Sequence, residues 1–363
     1  MHKFPYKWTF ENTTFTKDRG TVFSCFPGGG GSSMGYKLAG FDIIGFCEID
    51  KKMAENYLAN MEVKYPFIEG IQDLNRRKNL PKALYNLDIL DGSPPCSTFS
   101  MAGKRDKNWG KLKKFREGQK KQILDELFFE FIKLAKKLQP KIVISENVRG
   151  ILIGKAMSYK HNYVNAIIKG FDKAGYHTNF YLFNSSKMGV PQKRQRVFFV
   201  SVRNDLVSPF LFPDGFFNKK LNIDLEFNES PILFGTVRGK HGVETEADRQ
   251  KLLKYKIKSD TCIGDINERL FNKLSGFTAM LVKDTEVCPT ITASDIHWRW
   301  YDDLKFSDYD YTICGTFPLD YQFKGNVKYI IGMSVPPIMM AQVVSRIYEQ
   351  ILLKINNETN QGN

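Results

Sequence analysis

The sequence predicts an α/β fold: a large domain of alternating strands and helices, with a smaller and less regular one beside it. Three observations predict this. A short apolar strand opens into four consecutive glycines, Gly28 to Gly31. A second apolar run, residues 41–46, ends in Glu48-Ile49-Asp50. A third, Ile89-Leu90, leads through Asp91-Gly92-Ser93 into Pro94-Pro95-Cys96. Strand, glycine turn and helix form the first unit of a nucleotide-type fold, because glycine lets the backbone approach a ligand closely.

In chain order, residues 21–26 read as a buried strand. Residues 32–39 read as a helix closed by Gly40. The acid at Glu48 lies about 20 positions past the glycines, where ribose hydroxyls are commonly bound. Glycines followed by an acid are only moderately specific and also fit a dinucleotide site. A P-loop is argued against, since no Gly-Lys-Ser/Thr follows. The two prolines before Cys96 fix φ and remove two backbone donors, so the thiol enters on a stiff support at the carboxyl edge of a strand. Taken alone, Pro-Pro-Cys is equally a tight turn with a small hydrophobe after it.

Residues 97–121 are basic, with Lys104, Arg105, Lys107, Lys111, Lys113, Lys114, Arg116, Lys120 and Lys121 around Trp109 and Phe115. A charge run of this kind is usually a solvated surface; beside a candidate nucleophile it reads as a lid for an anionic substrate. Apolar spacing predicts an amphipathic helix over 122–139, ended by Pro140. A strand follows at 141–145 and delivers Glu146-Asn147-Val148, then a helix over 163–174. Residues 180–184 and 197–201 read as strands on either side of Gln192, Arg194 and Arg196. From about 204 to 289 no clear alternation is visible. A C-terminal helix is expected through about Lys354, with a frayed polar end.

Composition narrows the function. The chain has 363 residues, 53 Lys+Arg against 39 Asp+Glu and a formal net charge of +14, which attracts polyanions, nucleic acid first. The six cysteines make no Cys-x-x-Cys pair, so neither zinc nor redox spacing is present. Scattered cysteines in a chain this long read as reduced and intracellular. Residues 1–20 hold no apolar h-region, and no apolar run is expected to reach membrane-spanning length.

Taken together and in this order, these pieces resemble the cytosine-C5 DNA methyltransferases, from about Thr21 to Ile347. The glycine turn Phe26-Pro27-Gly28-Gly29-Gly30-Gly31 is similar to the family's cofactor turn, and Glu48-Ile49 to its ribose-binding acid. Ser93-Pro94-Pro95-Cys96, with Phe99-Ser100 and Gly103-Lys104, resembles the nucleophile loop. Leu127 to Glu130 resembles a cofactor-facing segment, Glu146-Asn147-Val148 the base-binding triplet, Gln192, Arg194 and Arg196 the Gln-x-Arg-x-Arg element, and Gly332 to Pro337 the C-terminal return. Three positions depart from the family pattern. Ser24 stands where Asp is frequent, Gly70 precedes Ile71 where Asp is usual, and Met333 replaces Asn ahead of Ser334. All three bear on cofactor binding rather than on the chemistry-bearing residues.

The resemblance implies a Rossmann-like S-adenosylmethionine-dependent methyltransferase domain with a smaller target-recognition domain. It implies S-adenosyl-L-methionine as cofactor, with S-adenosyl-L-homocysteine as product, and no metal. Cofactor contacts fall to Phe26, Gly28, Gly30, Glu48, Ile49, Ile71, Pro94, Leu127, Ser334 and Val335. Cys96, Glu146, Arg194 and Arg196 become catalytic, and Ser97, Lys104, Arg105 and Gln192 bind DNA. Residues 1–203 form the catalytic domain, 204–322 the target-recognition domain and 323–363 a return to the first.

The chemistry needs these residue types. Cytosine C5 is a poor nucleophile, and a thiolate adding at C6 turns the ring into an enamine, splitting one hard step into easier ones. An electropositive surrounding from Arg194, Arg196 and Lys104 favours the thiolate. A carboxyl at Glu146 can hold N3 and the exocyclic amine, a task suited to a raised pKa. Arg196 holds the base O2, Arg194 steadies the nucleophile loop or a phosphate, and Asn147 braces the Pro94-Pro95 loop. The target base must leave the duplex to reach such a pocket. Expected partners are double-stranded DNA and a cognate restriction endonuclease; the expected state is a cytoplasmic, nucleoid-associated monomer. Rival readings are an RNA cytosine methyltransferase, a catalytically weak DNA-binding relative and a nicotinamide dehydrogenase.

Overall fold

The computed structural model describes residues 3–95, 126–152, 163–207, 223–244, 251–273, 275–277 and 279–361. Cys96, Ser97, Lys104 and Arg105, and with them the proposed lid, lie outside the described residues. The chain forms two compact units, each discontinuous in sequence: residues 15–183, 195–226 and 343–363 make one, and 1–14, 184–194 and 227–342 the other.

The first unit carries a seven-stranded sheet. Its strands are β1 (Thr21–Cys25), β2 (Asp42–Cys47), β3 (Tyr65–Phe67), β4 (Ile89–Gly92), β5 (Ile142–Val148), β6 (Tyr176–Asn184) and β7 (Gln195–Arg203), in the order β3-β2-β1-β4-β5-β7-β6. The first five run parallel and β7 lies antiparallel to β5. A parallel sheet covered on both faces is built from nearly continuous apolar strands, and β1, β4 and β5 are buried along nearly their whole length.

Helices α1 (Gly31–Leu38), α2 (Lys51–Leu58), α3 (Ile71–Arg76), α4 (Leu127–Leu138) and α5 (Tyr163–Lys173) supply the crossovers. Phe128, Phe131, Leu134 and Ala135 of α4 join Phe23, Leu90, Val143, Ile167 and Phe199 in one core. The sequence-predicted elements of this unit are present, with shifted ends. Strand β5 runs on through Glu146-Asn147-Val148, and β7 begins at Gln195, which places Arg196 inside a strand.

The second unit holds the two-stranded parallel sheet of β8 (Ala279–Val282) and β9 (Ile296–Arg299). A small core of Leu253, Ile263, Ile266, Leu281 and the fully buried Trp298 packs on it. Helices Ile263–Phe271 and Asp308–Cys314 each begin at a capping box, in which N-cap and N3 side chains satisfy each other's backbone donors.

Two expectations about the C-terminus are corrected. The helical stretch Val327–Asn357 has 31 residues and contains an 18-residue window with a mean hydropathy of 1.4, long and apolar enough to meet a membrane-span criterion. That window is nevertheless 89% buried inside the protein, as a core helix is. The helix expected to end near Lys354 continues through Gln361.

Candidate active site

The site grows from the carboxyl ends of the parallel strands, where an open α/β sheet leaves a crevice for ligands. At the end of β1, Phe26 takes the left-handed conformation at φ 56°, unusual for a residue with a bulky side chain. Its amide donates to the Cys47 carbonyl at 2.9 Å, fixing the start of the turn to the end of β2. Gly30 has φ 77°, a conformation that L side chains rarely adopt, and a Cβ there would also press on the Tyr57 ring at 3.1 Å, so the position favours glycine. Gly28 is the opposite case: a Cβ would meet nothing within 4 Å, and this turn therefore borders open space.

Glu48 reaches this turn from β2. Its Oε2 accepts from the Gly28 amide at 3.2 Å and its Oε1 from the Asp50 amide at 2.9 Å. Burial pushes its carboxyl up from 4.5 to about 7, against the lowering effect of those backbone donors and with a smaller upward push from Asp50. Asp50 caps α2, accepting from the amides of Lys52 and Met53. Ile49 is half-buried, whereas Ile71 and Leu127 are fully buried and belong to the core of this unit. Open space at Gly28 and a buried carboxylate beside it suit a ligand that carries paired hydroxyls.

The next strand end carries the loop toward the cysteine. Ser93 donates its amide to the Cys25 carbonyl at 3.3 Å, and Asn147 Nδ2 donates to the Pro94 carbonyl at 3.1 Å. The brace expected of Asn147 is thus present as a hydrogen bond. Pro95 is the last described residue of the loop, one position before Cys96.

On β5 and β7, Glu146 and Arg196 form an ion pair, Oε1 to Nε at 2.8 Å, with side chains only 9% and 12% exposed. The antiparallel register sets Val148 opposite Arg196, so the arginine enters the same strand end as the carboxylate. A second guanidinium donor goes to the Gln195 carbonyl at 2.7 Å. Burial pulls the Arg196 pKa down, and the Glu146 carboxylate offsets part of this.

Gln192, Arg194, Ser334 and Val335 belong to the other unit. Gln192 is buried, donating to the Cys314 carbonyl at 3.1 Å and accepting from the Ile291 amide at 3.1 Å. Arg194, also buried, donates to the carbonyls of Ile291 at 2.8 Å and Gly332 at 3.0 Å. Ser334 donates to the Ile330 carbonyl at 2.8 Å, and Val335 is buried. In this structure the side chains of Gln192, Arg194 and Ser334 hold backbone in place.

One residue near the site was missed by sequence reasoning. Asp91, on β4, is 1% exposed and accepts from three hydroxyls. An acid inside an otherwise apolar strand was the available signal.

A family model described as C-5 cytosine-specific DNA methylase matches residues 20–349 of the chain. Type II methyltransferase M.Sau96I of Staphylococcus aureus is 29% identical over 366 residues, covering 92% of this chain and 77% of that protein. Type II methyltransferase M.FnuDI of Fusobacterium nucleatum is 36% identical over 193 residues, covering 53% of this chain and 50% of that protein, so the match takes in half of that relative's length. Among solved structures, an E. coli DNA modification methyltransferase encoded within a prophage aligns at a TM-score of 0.62 and 20% identity, over 92% of this chain and 99% of that one. That likeness is one of fold.

Proposed function

Because the chain belongs to the C-5 cytosine-specific DNA methylase family, we propose that it methylates C5 of a cytosine flipped out of double-stranded DNA at a specific sequence, through a covalent bond from Cys96 to C6. The observation that carries this reading is the buried Glu146–Arg196 pair at the end of β5, beside a loop that Asn147 braces one residue before the cysteine.

The residues of the cofactor turn suit S-adenosyl-L-methionine. Glu48 would accept from its ribose hydroxyls, the turn from Phe26 to Gly30 would lie along it, and Ile49, Ile71, Pro94, Leu127, Ser334 and Val335 complete the proposed contacts. Bound there, the cofactor would supply an electrophilic methyl group on a sulfonium, and the sulfur that gives it up would leave, neutral, as S-adenosyl-L-homocysteine. The remaining work belongs to the chain. The Cys96 thiolate adds to C6, and the C5=C6 electron pair moves onto C5. Glu146 holds the N3 edge and the exocyclic amine, stabilising the ring as charge moves through it. Arg196 keeps Glu146 oriented and reaches the base O2. Once C5 has taken the methyl group, its proton passes to a solvent base, the C5=C6 double bond re-forms and the C6–S bond breaks to return the thiolate.

Nucleic-acid contacts follow from the same proposal. Ser97, Lys104 and Arg105 would meet DNA, whereas the buried Gln192 and Arg194 would act from within their own unit, through the backbone they hold. Residues 204–322 would read the sequence, with 1–203 and 323–363 carrying the chemistry. The enzyme would act as a monomer in the cytoplasm, at the nucleoid, alongside a cognate restriction endonuclease.

The test is to incubate mixed-sequence DNA with S-adenosylmethionine and map 5-methylcytosine at single-base resolution. One recurrent sequence context is expected. DNA carrying 5-fluorocytosine should trap a covalent adduct on Cys96 with the wild type and none with Cys96→Ser. An adduct on another cysteine, or methylation of RNA but not DNA, would overturn the reading.

A further inference from the structure

Asp91 sits where a strand of this sheet would ordinarily carry an apolar side chain, between the buried Leu90 and Gly92. Among the described residues its side chain has three partners, all hydroxyls. Oδ2 accepts from Ser24 Oγ at 2.7 Å and from Ser32 Oγ at 2.9 Å, and Oδ1 accepts from Tyr36 OH at 3.2 Å. All four residues are buried, at 0% to 4% exposure. A buried carboxylate without a cation is costly unless hydrogen bonds replace its water. Burial accordingly drives its pKa up from 3.8 to about 7; the three hydroxyls work in the opposite direction and Glu146 adds a smaller upward push.

The placement of the three partners gives the cost a use. Ser24 lies on β1, two residues before Phe26, and faces Asp91 directly in the β1–β4 register. Ser32 follows Gly31 at the start of α1, and Tyr36 lies one helical turn further along. The same carboxylate oxygen therefore holds both ends of the segment Phe26 to Gly31. That segment contains four successive glycines, whose backbones lose the most freedom on ordering. It also contains Phe26 in a left-handed conformation, which persists only when its surroundings enforce it. The N-cap of α1 is Gly30, which has no side chain to fix the helix start. Apolar contacts alone would let α1 slide along the sheet; hydrogen bonds of set length and direction do not.

We propose that Asp91 is a positioning residue that clamps the cofactor turn, acting through Ser24 at its entrance and Ser32 and Tyr36 at its exit, and registers that turn to the strand leading into Cys96. The clamp rests on the reading of this turn as the S-adenosylmethionine site. It predicts that the carboxylate matters for cofactor affinity beyond its effect on folding.

The experiment compares wild type, Asp91→Asn, Ser32→Ala and the exchange Ser24→Asp/Asp91→Ser. Each is measured for thermal midpoint, S-adenosylmethionine affinity by calorimetry without DNA, KM for each substrate, and hydrogen exchange at the amides of Gly28 to Gly31. Asp91→Asn should weaken cofactor affinity at least tenfold and Ser32→Ala several-fold. KM for DNA should stay within twofold, and turn amides should exchange faster in both variants. The exchange variant returns a carboxylate to the same cross-strand pair and should recover most of the affinity. If Asp91→Asn does not fold, Ser32→Ala decides alone. Wild-type affinity and unchanged exchange in these variants would overturn the clamp, as would a lower thermal midpoint with no change in either readout. A wild type that binds no S-adenosylmethionine would instead refute the reading of the site, and the exchange rates would still decide whether Asp91 orders the turn.

Discussion

Removing the Glu146 carboxylate gives the most informative single perturbation. Glu146 and Arg196 are paired at 2.8 Å with about a tenth of each side chain exposed. Arginine stays charged in a protein, so Glu146→Ala leaves a buried guanidinium without its counter-ion. Breaking a buried pair in this way costs about 3–5 kcal/mol. The lower end is expected here, since the Gln195 carbonyl still accepts one donor. At roughly 2–4 °C per kcal/mol, about 3 kcal/mol lowers the thermal midpoint by about 6–12 °C. Glu146→Gln keeps an oxygen facing Arg196 and exchanges a charged hydrogen bond for a neutral one, a loss of about 1 kcal/mol. Its fold should therefore survive. Its chemistry should not, because the amide cannot handle the N3 proton, and a positioned proton-transfer group contributes about 10²–10⁴ in rate. The assay is the rate of adduct formation on DNA carrying 5-fluorocytosine, beside a thermal melt of the same preparation. Trapping by Glu146→Gln at the wild-type rate would remove Glu146 from the chemistry. An unchanged melt for Glu146→Ala would refute the ion-pair argument.

Four further outcomes follow from the site and its surroundings. With a Glu48 pKa near 7, the carboxylate proposed to accept ribose hydroxyls is lost as pH falls, so S-adenosylmethionine affinity by calorimetry should weaken between pH 8 and 6 in wild type. Glu48→Gln should bind more weakly throughout and show a shallower dependence; Asp91 titrates in the same window, so the comparison is made at each pH, and parallel curves would sink the assignment. The stability effect has the opposite sign, since the folded chain holds this proton more tightly and Glu48 lowers stability as pH rises from about 4.5 to about 7; Glu48→Gln should flatten that part of a melting-temperature profile. Neutralising Lys104 and Arg105 should reduce the slope of log DNA affinity against log salt by up to about 2, leaving cofactor affinity unchanged, and identical slopes would return the basic run to a solvated surface. In the second unit, Asp310 is fully buried and accepts from Gly239 N, Ser307 N and Ser307 Oγ, all at 2.9 Å, while pairing with Arg299 at 3.2 Å; Asp310→Ala should cost about 3–5 kcal/mol in denaturant unfolding, and a loss below 1 kcal/mol would show that the network adds little.

The first unit was legible because its signals are local. Gly28 to Gly31 between two apolar strands, and Pro94-Pro95 after a third, dictate turns from their own backbone chemistry. Strand β3 was not legible: it has three residues, carries Pro66 and lies at the sheet edge, where proline is tolerated and periodicity has no length in which to show. Among the described residues between 204 and 289 the elements are short, and those from Leu253 to Leu281 pack around Trp298, which arrives later in the chain. Asp91 was passed over because its partners, Ser24, Ser32 and Tyr36, lie 55 to 67 residues away in sequence. The local signal, an acid inside an apolar strand, does not say what that acid holds.

The gathering of the predicted site residues has a simpler cause than their individual motifs. Strands β1, β2, β4 and β5 run parallel, so whatever their order their carboxyl ends share one edge. Phe26 follows the end of β1, Glu48 the end of β2, and Pro94 lies two residues past β4, while Glu146 lies two residues before the end of β5. A reader of the sequence who knows only that each residue follows an apolar strand can place all four on that edge. The order β3-β2-β1-β4-β5-β7-β6 decides which of them are neighbours, and that order is set by long-range pairing. Arg196 shows the difference. It stands near the start of β7, the wrong end for a parallel strand. Only because β7 runs antiparallel beside β5 does its beginning lie at the shared edge, opposite Val148 and against Glu146. The residue types were readable from the chain, but the pairing that gives Glu146 its cation came from the reversal of one strand.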